Sequence, residues 1–130
     1  MSAWIAVDLD GTIAHYDHDN FDPFKVGAPI APMVARVKAW LADGVDVRIF
    51  TARVDGGEVA NAMGAASPET VAFYRDVERI RALIQAWCVE HIGVALPVTN
   101  RKDYGMIRLY DDRCRQVITN TGEVVNDDEF

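Results

Sequence analysis

The stretch Trp4-Ile5-Ala6-Val7-Asp8-Leu9-Asp10-Gly11-Thr12 decides the fold. Its first four residues are apolar and read as a buried strand. Two carboxylates follow, then a turn residue and a hydroxyl. Alternate residues of a strand share a face, so Asp8 and Asp10 can point the same way. Open α/β sheets place their chemistry outside the carboxyl ends of the strands. Two carboxylates this close repel unless a cation sits between them, and Mg²⁺ is the natural candidate.

Three further pieces lie downstream, two of them behind apolar runs of their own. Val47-Arg48-Ile49-Phe50-Thr51-Ala52-Arg53 ends on a hydroxyl at Thr51. Asn100-Arg101-Lys102-Asp103 supplies a cation. Ile107-Arg108-Leu109-Tyr110-Asp111-Asp112-Arg113 ends on an acidic pair. Between these pieces the chain alternates strand and helix. Met33, Val34, Val37, Trp40 and Leu41 recur at helical spacing behind Pro29 and Pro32, and Gly44 fits a C-terminal cap. Ser67-Pro68-Glu69 reads as a second helix start. Its apolar face continues through Val77, Ile80, Ile84, Trp87 and Cys88, and Gly93 ends it. Strands are expected at Trp4–Val7, Val45–Phe50, Leu96–Val98 and Met106–Tyr110, with a fifth at Gln116–Thr119. Loops are expected over residues 13–30 and 54–67. This alternation predicts an α/β fold with a central parallel sheet flanked by helices. Strands one, two and four then end on one edge, which gathers Asp8, Asp10, Thr51, Asp111 and Asp112.

The order of these pieces resembles the haloacid dehalogenase (HAD) superfamily of phosphohydrolases that use an Asp nucleophile. The resemblance covers about residues 4–120 and implies a Rossmann-like core. It also implies roles. Asp8 is the nucleophile, giving an aspartyl-phosphate, and Asp10 is the general acid–base. Thr51 and the backbone N–H groups of Gly11 and Ala52 hold the phosphoryl oxygens. Lys102 neutralises the charge they share. Mg²⁺ is held by Asp8, the backbone carbonyl of Asp10, Asp111 and Asp112, with Asp112 favoured as a direct ligand. Members of the family have a helix between this cation and the acidic pair, whereas Lys102 precedes Asp111 by only nine residues, so Arg101 is the alternative cation. Arg53 is a candidate for substrate contact and Arg113 a weaker one. The connections are too short for an inserted cap domain, so a capless member is expected, with residues 13–30 as a flap carrying Tyr16, Phe21 and Phe24. Asp8–Ala14, Ala31–Val34, Thr51–Arg53, Phe73–Arg75 and Asp111–Arg113 are similar to the phosphatase domain of phage-type polynucleotide kinase/3′-phosphatases. That similarity implies a substrate among nucleotides or nucleic-acid ends.

Composition bounds the remaining expectations. A chain of 130 residues, half of them apolar, accommodates one domain over 1–130, with an acidic tail at 126–130 that frays. Thirteen basic against twenty acidic residues give a charge of −7 and argue against an extended nucleic-acid surface. The expected partner is a phosphorylated small molecule or nucleotide, with no membrane and with self-association open. Two cysteines and no basic-then-apolar leader predict a cytoplasmic protein. His15 and His18 read as surface-loop residues, because a zinc site needs more ligands. A phosphate-sensing or partner-binding domain and a phosphotransferase are the competing functions.

Overall fold

A computed structural model of the chain describes residues 2–55 and 68–126, and of residues 68–74 only the backbone. Four parallel strands form one sheet: β1 (Trp4–Asp8), β2 (Val47–Phe50), β3 (Val98–Thr99) and β4 (Met106–Tyr110), in the order β3-β2-β1-β4. Helix α1 (Ala31–Ala42) joins β1 to β2, and helix α2 (Pro68–His91) lies between β2 and β3. The architecture is α/β, as the alternation predicts. No described helix is long and apolar enough to cross a membrane.

The central position of β1 explains its composition. A strand with neighbours on both edges tolerates apolar residues on both faces, and Trp4, Ile5, Ala6 and Val7 are all buried. Ile5 and Val7 face one way, with Val47, Ile49 and Val98, into a core completed by Val34 and Val37 of α1 and Val77, Ile80 and Ile84 of α2. Both helices therefore cover the same face. The sheet order accounts for this. The steps β1 to β2 and β2 to β3 move in one direction, and crossovers of one hand then land on one side. Pro32 opens α1, where a missing N–H costs nothing. Gly44 follows its end at φ +79°, a conformation that favours glycine.

The other face carries Trp4, Ala6, Asp8, Arg48, Phe50 and Leu109, as the strand alternation and register require. No described helix covers it. Residues 100–105 return directly from the end of β3 to the start of β4 and serve as a strap. Asp103 accepts from Trp4 Nε1 at 2.7 Å, and the Arg48 guanidinium lies 4.6 Å from the centre of the Trp4 ring. The strap seals the Trp4 end of this face only.

Several element bounds differ from expectation. The third strand is Val98–Thr99 rather than Leu96–Val98. Gln116–Thr119 forms no strand; among the described residues its ladder pairing is one antiparallel bridge between Val117 and Val124. A run of β-branched residues becomes a strand only where a neighbour pairs with it. Ser67, the loop over 56–67 and the tail over 127–130 lie outside the described residues. Both cysteines are free, Cys88 buried and Cys114 exposed, and burial pushes the Cys88 thiol up to about 11.

Candidate active site

The turn after β1 is built by hydrogen bonds onto one carbonyl. The backbone N–H groups of Ile13 and Ala14 donate to Leu9 O at 3.2 and 2.9 Å, and Gly11 N donates to Ala14 O at 2.8 Å. The Gly11 N–H, expected to hold a phosphoryl oxygen, is thus committed inside the turn. Gly11 is at φ +89°, and a Cβ there would lie 2.6 Å from Asp112 Oδ2. Both the backbone conformation and the space require glycine.

This close approach brings the two acidic strand ends together. Thr12 is the latch. Its hydroxyl lies 3.2 Å from Asp8 Oδ2 and 3.3 Å from Asp112 Oδ1, and it accepts from Asp112 N at 3.1 Å. Oxygens of Asp8, Asp111 and Asp112 all lie within 4.8 Å of one another. Among the described residues, no cation forms an ion pair with any of the three. The Asp8 carboxyl is raised to about 7, first by burial, then by the neighbouring charges of Asp111 and Asp112. Three converging carboxylates without a counter-charge are a donor set that fits a hard divalent cation. The Asp10 carboxylate stands outside this cluster.

Asp10 instead meets Arg53. The guanidinium donates to both carboxylate oxygens, Nε to Oδ2 at 2.8 Å and Nη2 to Oδ1 at 2.6 Å. Its Nη1 donates to the backbone carbonyls of Lys25, Pro23 and Asp22 at 2.7, 3.1 and 3.3 Å. The same side chain lies 4.7 Å from the centre of the Phe21 ring and is only 5% exposed. Arg53 therefore ties the flap to the site and fixes the plane of the Asp10 carboxylate. Fork geometry makes arginine suited to this, and lysine cannot reproduce it.

Thr51 is 3% exposed and caps the short 3₁₀ turn Ala52–Val54 by accepting from Arg53 N at 3.2 Å. Its hydroxyl proton remains to be donated. Asp8, Asp10, Thr51, Ala52, Arg53 and Asp111 line one cavity of about 410 Å³. Tyr16, Phe21 and Phe50 supply its aromatic wall, and Arg113 closes it beside Tyr16, 5.9 Å from that ring centre. No family model, curated protein or solved structure matches the chain. The geometry carries the functional argument by itself.

Two residues stand apart from expectation. Lys102 does not line the cavity that holds Asp8; it lines a neighbouring groove on the open sheet face. Arg101 is exposed and does not line it either. Thr12, by contrast, is a site residue to which the sequence reading gives no role. Its signal was present in the hydroxyl directly after Gly11, but its partner Asp112 is remote in sequence.

Proposed function

We propose that the chain is a Mg²⁺-dependent phosphatase of the HAD type, hydrolysing a phosphomonoester through an aspartyl-phosphate on Asp8. The observation that supports this most is the cluster of Asp8, Asp111 and Asp112 at two adjacent strand ends, two of which, Asp8 and Asp111, line one cavity with Asp10 and Thr51. Asp8, Asp111 and Asp112 would hold the ion, which supplies charge neutralisation at the phosphoryl group.

The chain's own groups supply the rest. The Asp8 carboxylate forms a bond to phosphorus as the bond from phosphorus to the leaving oxygen breaks. Asp10 gives that oxygen a proton, then takes one from the water that cleaves the acyl phosphate, so phosphate leaves and Asp8 is restored. Thr51 Oγ donates to a phosphoryl oxygen. Arg53 holds Asp10 in place; when one of its two hydrogen bonds loosens, the freed Asp10 oxygen takes up the proton that it then gives to the leaving oxygen. The flap shields this chemistry, with Tyr16 and Phe21 at the mouth. The same Arg53 lock favours the second reading, a phosphate-binding domain without turnover, because both Asp10 oxygens are engaged.

Phosphate release from an aryl phosphate, nucleoside 5′- and 3′-monophosphates and sugar phosphates separates the two. Release that requires Mg²⁺ and falls by about 10³ or more in Asp8→Asn supports the enzyme. Binding of phosphate without release from any ester supports the second reading.

A further inference from the structure

Among the described residues that line the cavity around Asp8, two carry positive charge, Arg53 and Arg113. Arg53 is committed. Its guanidinium meets both oxygens of Asp10 and three carbonyls of the flap. Lys102 and Arg101 do not line the cavity.

Arg113 is placed differently. Its backbone N–H donates to Asp111 Oδ1 at 2.8 Å, a local turn that fixes the root of the side chain beside the acidic pair. Asp111 and Arg113 line the cavity, whereas Asp112, between them, lies against Gly11. The Arg113 guanidinium lies 5.9 Å from the centre of the Tyr16 ring, within reach of a cation–π contact. Among the described residues it forms no ion pair, and its side chain makes no hydrogen bond. It therefore stands at the cavity wall with its donors uncommitted, although Asp111 is two residues away.

The charge of the site gives those donors a task. Three carboxylates around one divalent ion still leave a negative centre, and a phosphomonoester brings a charge of roughly −1.5 to −2 at neutral pH. Arg53 is already matched by Asp10. A fork of N–H donors suits phosphoryl oxygens in geometry as well as in charge.

We propose that Arg113 binds the phosphoryl oxygens of the substrate, the task that the family resemblance assigns to Lys102. The identity of the ligand rests on the phosphatase reading. Tyr16, on the flap, stations the guanidinium at the mouth when no anion is present.

Isothermal titration calorimetry with inorganic phosphate, on the full chain in Mg²⁺, tests the assignment without requiring turnover. The parent binds phosphate. Arg113→Gln weakens this binding at least tenfold. Arg113→Lys keeps the charge but loses the fork, and falls between the two. Lys102→Gln stays within twofold. All three variants melt with the parent, because both side chains are exposed. With an aryl phosphate, KM rises at least tenfold in Arg113→Gln and stays within twofold in Lys102→Gln. If Arg113→Gln leaves both phosphate affinity and KM within twofold, the assignment is overturned. An equal or larger loss in Lys102→Gln overturns it too, and returns the task to the strap. A loss of affinity that tracks a fall in Tm, with no partial recovery in Arg113→Lys, gives Arg113 to the fold instead. Weakened phosphate binding in Arg113→Gln, with no release from any ester by the parent, defeats the phosphatase reading alone. Release that needs Asp8 and is unchanged in Arg113→Gln defeats the assignment alone. A parent that neither binds nor releases phosphate overturns both.

Discussion

One face of the sheet carries α1 and α2 over Ile5, Val7, Val47 and Ile49. The other carries no described helix; the strap 100–105 lies at its Trp4 end, residues 114–126 border its groove, and Ile107 is 54% exposed. Both faces belong to the same strands, and adjacent residues such as Ile49 and Phe50 divide between them. The covered face is apolar and closed. The open face bears Asp8 at its upper end and arginines along its edge. The difference follows from connection length. Two helical crossovers fill one side, and the return from β3 to β4 is too short to hold a helix. Stability is thereby concentrated on one face.

Substitution of Ile49 by Ala gives the largest effect of this division. Ile49 is fully buried among both helices, and its truncation costs about 2–5 kcal/mol as lost burial plus a cavity. Chemical denaturation measures it. A cost below about 1 kcal/mol would mean that the helices are not what stabilises the sheet.

The open face shows its character through pH. Burial, with the neighbouring Asp111 and Asp112, pushes the Asp8 carboxyl up to about 7 in the fold, against 3.8 for an ordinary carboxyl. Between these values the folded protein binds more protons than the unfolded chain. Stability is therefore full below about 3.8 and falls as pH rises through about 7. After allowance for solvent screening the loss is on the order of 2 kcal/mol. A cation at the three carboxylates opposes it, since it binds the deprotonated form. Thermal melts at pH 5 and pH 8, with and without Mg²⁺, check both statements. The gain in Tm from Mg²⁺ is larger at pH 8, and Asp8→Asn abolishes the pH slope. An equal gain at both values would place the ion elsewhere.

The sequence made the covered face legible and the open face only partly so. The apolar run at Trp4–Val7, and the helical spacing through Val34, Val37, Val77, Ile80 and Ile84, are local patterns that burial enforces. Gathering of Asp8, Thr51 and Asp111 followed from parallel strands sharing an edge. What was hidden is non-local. Arg53 reads as a residue for substrate, yet its partners are Asp10 and three backbone carbonyls of the flap, which no side-chain pattern announces. Lys102 reads as a site cation, yet it lies on a strap whose path depends on the sheet order. Val117-Ile118-Thr119 has the composition of a strand, but no described strand lies alongside it to complete a ladder.

The smallest effect expected is also the sharpest probe of the open face. Ile107 lies on β4, as Ile49 lies on β2, and both are isoleucines in strands of one sheet. If burial alone decides their contributions, Ile107→Ala stays within about 0.5 kcal/mol of the parent, as for other exposed positions. Denaturation at two protein concentrations measures this beside Ile49→Ala. A cost above about 1 kcal/mol that is independent of concentration would mean that part of the chain itself covers β4. A cost that grows with concentration would mean that a second copy does, because mass action stabilises only what associates. Either result would mean that this face is covered in solution. A negligible cost at both concentrations, with Ile49→Ala severely destabilising, keeps the two faces as different as their coverage makes them.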